Sequence, residues 1–426
     1  MDRPLRNRKG ITSRLCSSLV IAGVLLSLAF VASAQTGPTG DAAQYKYRVS
    51  LQVRAAGYER DDKPVEVEID FSRMLARRRW SDYVDPAHLA LFEATEDGLV
   101  PIAFQFDRCE GFHSWTEARG TLIFVMAGRT TADAERQFYI YFGLRGFAPR
   151  PGVSTPLHPV SVSSVPDHEG QESFCVRTSS ATYYYHRLGA GFASLEDEDG
   201  NDWLGYNPGV GSRSNSGSGG QYRGTPNMGY PEGYCHPGEK VSDSRIVSSG
   251  PIKVAIESMS NDGKMHCRWD IFPHWARLTV LRMRTPYWYL YEGTPGGALD
   301  MDSDLCVRPE GAGYVTTTAS EKWEGDITGT DGIEWLCFTD ANAERSLYVV
   351  HHEDDDEMDS YWPMNEEMTV FGFGRLGLKK FMERVPAYFT VGLCDHMEPE
   401  RVHAVINNGC QPLSISLGSV EEVEHE

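Results

Sequence analysis

Positive charge is scarce in this sequence. Its 426 residues carry 40 Lys and Arg against 60 Asp and Glu, a formal net charge of −20. A field of that sign repels polyanions, and phosphate contacts need a basic footprint, so general nucleic-acid binding is disfavoured as a class. Several catalytic signatures are missing as well. There is no Cys-x-x-Cys, no Gly-x-Ser-x-Gly, no His-Glu-x-x-His, no dinucleotide-binding glycine fingerprint in context and no haem-attachment motif. Zinc ribbon, serine hydrolase, zincin, dinucleotide enzyme and cytochrome readings therefore lose support. The Gly/Ser-rich stretch 209–220 lacks the Gly-Lys-Ser/Thr of a phosphate loop and reads as a surface loop. Composition gives no sign of disorder, with 41% hydrophobic and 23% charged residues.

Long apolar runs are confined to the N-terminus. Arg3, Arg6, Arg8, Lys9 and Arg14 precede an apolar stretch from Leu19 to Val31, which ends in Ala32, Ser33 and Ala34. A basic region, a short apolar core and a small-x-small end make a signal peptide, with cleavage expected before Gln35 and an exported product, secreted or periplasmic. The run is short for a membrane span, and no later segment is long and apolar enough to be one. Removing residues 1–34 takes away five positive charges and one negative (Asp2), which moves the net charge from −20 to −24. Cys16 leaves with the leader. The eight cysteines that remain are an even number, which in an exported protein permits disulfides without specifying their pairing.

Helical periodicity is also rare, and β-patterning takes its place. Residues 35–43 read as a linker. From Tyr47, Val49, Leu51 and Val53 onward, apolar residues alternate with polar ones, and turn residues divide the region into about seven runs. Residues 44–146 are expected to form a β-sandwich, with one short helix near Phe71–Arg79. The proline-rich segment 147–172 reads as a linker. Residues 173–420 carry many strand-like runs and one helical candidate near Glu398–Asn407, which suggests a large two-sheet sandwich. Residues 421–426 form an acidic tail. The fold class expected is all-β.

Candidate chemistry concentrates in loops. Residues 221–238 hold three prolines and four glycines, from which Tyr222, Arg223, Asn227, Glu232, Tyr234 and His236 project. A second cluster, 351–362, begins with His351 and His352, runs through the acidic residues Asp354–Asp359 and ends at Tyr361 and Trp362. Hard oxygen ligands there could hold Ca²⁺, although EF-hand spacing is missing. Adjacent residues on a strand face opposite sides, so only one of the two histidines naturally joins any one pocket. Trp323 and Glu324 form a third group, and Arg375, in a glycine-flanked run, could pair with a carboxylate. The 9 Trp and 20 Tyr provide rings with polar rims, which suit sugar faces.

The stretch Ala181–Trp203 combines a strand, a glycine turn and a short Ser-Leu-x-Asp-x-x-Gly-x-x-Trp-like run. It resembles the opening of a galactose-mutarotase-like β-supersandwich, and the resemblance covers roughly residues 170–420. It implies a carbohydrate-active protein, because that superfamily includes sugar epimerases, polysaccharide lyases and accessory domains of glycoside hydrolases. No catalytic residue carries over by motif.

Two mechanisms fit the residues. A uronate lyase must neutralise a carboxylate, remove the neighbouring proton and protonate the leaving oxygen. His236, Tyr234, Arg223, Asn227, His352 and Arg375 are the catalytic candidates for that chemistry. Tyr222, Glu232, His351, Trp323, Glu324 and Tyr361 are the substrate-binding candidates. A glycosidase needs two carboxylates, for which Glu232, Glu324, Asp326 and Glu353 are available. The leading expectation is a polysaccharide lyase acting on a uronic-acid-containing polysaccharide or oligosaccharide, with a hydrolase or a non-catalytic glycan binder as alternatives.

Overall fold

The strand Tyr45–Arg54 shows how alternation becomes structure: Tyr47, Val49, Leu51 and Val53 are buried, and the residues between them are half-buried. A computed structural model describes residues 42–145, 155–206, 224–329 and 331–424. These lie within one compact unit, Pro38–Glu426. The leader and its cleavage point fall outside the described residues, as do Tyr222 and Arg223. The architecture is antiparallel and all-β, as the patterning predicts.

Seven strands between Tyr45 and Leu144 make most of two facing sheets. Val65, Val67 and Ile69 of the strand Arg60–Asp70 pack with Leu122, Phe124, Phe138 and Ile140 in the core between them. The short helix Phe71–Arg77 is present, its first turn capped by the Asp70 carboxylate, which accepts from the Arg73 amide at 2.8 Å.

The large sandwich sets a nine-stranded sheet against two four-stranded ones. Trp203, Trp269, Tyr183, Tyr185, Tyr289 and Tyr291 fill its core. On the outer face of the nine-stranded sheet lies the helix Pro399–Cys410, which buries Val402 and Ile406 against Trp335, Tyr348 and Val350.

Three details differ from the sequence-based boundaries. Ser161–His168, expected within a linker, is a strand paired with Gln171–Arg177. Ser414–Glu422 returns to pair with Tyr45–Arg54, so the end of the chain completes the first sheet and Glu421 meets Arg48 at 3.1 Å. No disulfide forms among the described cysteines. Cys235 and Cys267 approach to 3.2 Å between sulfurs, a thiol contact well beyond the ~2.05 Å of an S–S bond.

The two sandwiches share a strand's two faces. Along Arg119–Thr130, Leu122, Phe124 and Met126 enter the first core, while Ile123 packs on Ile252, Phe272 and Trp275 of the large sandwich. Beside Ile123 on the neighbouring strand stands Glu66, ion-paired to Lys253 at 2.8 Å and Arg277 at 2.7 Å.

Candidate functional site

The strand Tyr289–Gly293 sends Tyr289 and Tyr291 into the large core and leaves Leu290 and Glu292 for its other face. The segment after Gly224 covers that face. Gly224 and Glu292 exchange backbone hydrogen bonds, and the Asn227 amide donates to the Leu290 carbonyl at 3.3 Å. Gly224 has a φ of +143°, and a Cβ there would stand 2.4 Å from the Phe192 carbonyl oxygen, so close approach requires glycine.

Glu292 is thereby buried. Asn227 Nδ2 donates to its Oε2 at 3.2 Å, and His236 Nε2 lies 3.7 Å from the same oxygen. Burial raises this carboxyl to about 7, against the opposing pull of Asn227 and Arg375. Arg375 is also buried, its guanidinium 4.1 Å from the ring centre of Trp362 and 5.1 Å from that of Trp288. Burial lowers its pKa to about 10, opposed by the charge of Glu292. Arg375 Nε donates to the Gly377 carbonyl at 3.1 Å, but Nη1 finds no hydrogen-bond partner among the described residues. Asn227 Oδ1 and Trp288 Nε1 are likewise unpartnered there. Trp362 also walls a pocket of about 490 Å³, lined with Lys322, Trp323, Glu324 and Tyr361.

Of the sequence-derived candidates, Asn227, His236 and Arg375 thus come together. Glu232 joins their rim, pairing at 3.3 Å with Lys380, whose ammonium sits 5.2 Å from the Trp288 ring centre. Trp323 and Glu324 line the adjoining pocket. Tyr361 touches that pocket, but its hydroxyl is buried and donates to the Ala319 carbonyl at 2.6 Å.

Others are placed elsewhere. The Tyr234 hydroxyl donates to Asp262 at 2.5 Å. His351 and His352 do face opposite ways. His352 hydrogen-bonds Thr390 Oγ1 at 2.8 Å, and burial lowers its pKa to about 3. It does not reach the Arg375 cluster, because an odd step along the strand turns it to the other side of the sheet.

His351 stacks on Phe389 and meets Glu334 Oε2 at 3.0 Å, with Asp355 Oδ2 at 3.8 Å. Burial pushes the Glu334 carboxyl up and the His351 imidazole down, which favours a carboxylic acid bonded to a neutral ring over an ion pair. The Asp354–Asp359 run does not fold into a single oxygen cage. Asp359 accepts backbone amides of Gly374 and Ile327, and Asp355 joins Glu334 and His351, a mixed nitrogen–oxygen set, whereas calcium takes oxygen ligands.

Glu292 and Glu334 were missed by sequence reasoning. The signal for both was present: each is the single carboxylate of an otherwise apolar strand run, Glu292 at the end of 287–292 and Glu334 near the start of 333–338. A charge in that position is buried and needs partners.

No protein-family model matches this chain, and no curated protein matches it. Among solved structures, the protein HI1317 aligns with 55% of this chain and 99% of its own, at 11% identity and a TM-score of 0.37. The YidC insertase aligns with 59% of this chain and 44% of its own, at 10% identity and a TM-score of 0.30.

Proposed function

We propose that this protein is a carbohydrate-active enzyme, a polysaccharide lyase that cleaves a uronic-acid-containing glycan by β-elimination. One observation carries the reading. A buried guanidinium with an unpartnered Nη1 lies over two indoles, 4.1 and 5.1 Å from their ring centres, beside a carboxyl whose pKa is raised to about 7 and an asparagine with an unpartnered oxygen. Such a guanidinium is prepared for a carboxylate, the amide oxygen for a hydroxyl donor, and the carboxyl for proton transfer.

In this reading Arg375 binds the uronate carboxylate and stabilises the charge that develops on it, while the free Oδ1 of Asn227 accepts from a sugar hydroxyl. His236 takes the C5 proton, and the C5–H electron pair forms the new double bond to C4. The C4–oxygen bond breaks, and Glu292, half-protonated near pH 7, supplies the proton to the departing oxygen. The products are an unsaturated uronate and a new reducing end. Trp362 and Trp323, on the adjoining pocket, offer ring faces to neighbouring sugars.

Elimination is better served than hydrolysis by paired carboxylates, because Glu292 contacts an amide and an imidazole, with a guanidinium close by. A screen of the purified protein against neutral and uronate glycans tests the proposal, following ultraviolet absorbance of the unsaturated product together with reducing ends. Both signals are expected to rise on a uronate glycan. Reducing ends rising alone would replace elimination with hydrolysis.

A further inference from the structure

A groove of about 590 Å³ runs along the junction of the two sandwiches, away from the Arg375 cluster. Three side chains from separate parts of the chain meet on its wall. Asp62 comes from the first sandwich, His158 from the segment between the sandwiches and His274 from the turn joining two strands of the nine-stranded sheet. One ligand atom from each lies within 4.8 Å of the others, and all three residues are half-buried. We propose that Asp62, His158 and His274 form a binding site for a divalent transition-metal ion such as Zn²⁺.

The surroundings prepare each ligand. Ser179 Oγ donates its one proton to the Pro273 carbonyl at 2.8 Å, so at 3.3 Å from His274 Nδ1 it acts as acceptor. With its proton on Nδ1, His274 donates to this hydroxyl and keeps a lone pair on Nε2, the outer-sphere arrangement that orients a metal-binding imidazole. The Asp62 carboxylate is oriented similarly: Oδ1 accepts the Gly128 amide at 2.7 Å, leaving Oδ2 facing His158 Nε2 at 3.7 Å.

Asp62 holds a left-handed φ of 43°, at a point where the register of its strand shifts between Asp61 and Lys63. A bulge of this kind re-aims a side chain out of the regular alternation, at a backbone cost tolerated where the position has a role. Two imidazoles and one carboxylate suit zinc, cobalt, nickel or ferrous iron far better than calcium or magnesium. Three protein ligands on a groove wall leave a coordination position for water or an anionic group entering the groove.

The test is titration of the chelator-treated full chain with Zn²⁺ by calorimetry, and with Co²⁺ by visible absorption. The wild type is expected to bind one equivalent. Affinity should fall at least about tenfold in His158→Ala, His274→Ala and the shape-conserving Asp62→Asn, and about tenfold in Ser179→Ala. Circular dichroism identifies any variant that fails to fold, and Asp62→Asn and Ser179→Ala remain informative if a histidine variant does. A wild type that binds neither ion would overturn the proposal. So would binding untouched by these substitutions but abolished by His351→Ala, which would assign the ion to the Glu334, His351 and Asp355 group.

Discussion

Glu292 carries the acid–base behaviour of the candidate site. Its folded pKa near 7 lies above the ordinary carboxylate value of 4.5. Between those values the folded protein retains a proton that the unfolded chain has lost. The stabilisation is therefore full below about pH 4.5 and disappears as pH rises through 7, at most roughly 3 kcal/mol in total. Glu292→Gln keeps the shape and the Asn227 contact and has no proton to lose. Relative to wild type, the variant is expected to gain stability from pH 5 to pH 8, and denaturant unfolding at the two pH values checks this. An unchanged difference would show that Glu292 is ionised throughout. The same substitution removes the proton donor proposed for the leaving oxygen, so turnover should fall by about a hundredfold or more.

At the scale of elements, the site depends on one sheet face and the segment laid across it. Gly372, beside Leu290 on the neighbouring strand, makes room for Arg375: a Cβ there would lie 2.3 Å from Leu290 Cδ2 and 3.0 Å from Arg375 Cδ. Gly372→Ala is expected to displace the guanidinium from the indoles and to cost about 1–3 kcal/mol through overpacking. Thermal unfolding together with Trp288 and Trp362 fluorescence measures both effects. A variant with wild-type stability and emission would show that the strand shifts freely.

Much of this level was legible in the sequence. Period-two alternation marked the first strands, apolar runs bounded by turn residues marked those of the large sandwich, and both short helices fell close to their expected places, because local pattern governs local structure. The gathering of Asn227, His236 and Arg375 followed from glycine- and proline-rich loop chemistry. Glu292 escaped notice because hydrophobic periodicity treats an isolated charge in an apolar run as noise. Tyr234 and His352 were misassigned because loop residency and adjacency do not specify which way a side chain turns.

Across the whole molecule, the two sandwiches are joined by charges as well as by apolar contact. Lys253 is buried within reach of Glu66, Asp107 and Asp270, at 2.8, 3.5 and 3.4 Å. Arg277 bonds Glu66 as well. Although burial alone would raise it, these cations pull the Glu66 carboxyl down to about 2. Its stabilisation is complete above about pH 4.5 and is lost as pH falls toward 2. Lys253→Met removes the cation shared by Glu66, Asp107 and Asp270, leaving Arg277 beside Glu66, and should cost about 3 kcal/mol, read from urea unfolding at neutral pH. A loss below about 1 kcal/mol would show that solvent screens the group.

Arg60 ties the same junction differently. Its guanidinium donates to the carbonyls of Asn407, Gln411 and Pro412 at 2.8–3.1 Å, and so satisfies the end of a helix that has no basic residue in its own last turn. None of these long-range pairings could be read from the sequence. They join residues up to 352 positions apart, and nothing local records them.

The central claim is that Arg375 and its neighbours perform β-elimination on a uronate glycan. The most direct measurement compares wild type with Arg375→Lys on the best substrate of the glycan screen, following unsaturated uronate by ultraviolet absorbance. Lysine keeps the positive charge but lacks the planar fork and its stacking between indoles. The account predicts formation of the unsaturated product by the wild type and a loss of about a hundredfold or more in kcat/KM for the variant, with the fold intact. Equal rates in the two proteins, or no unsaturated product from any uronate glycan, would contradict it.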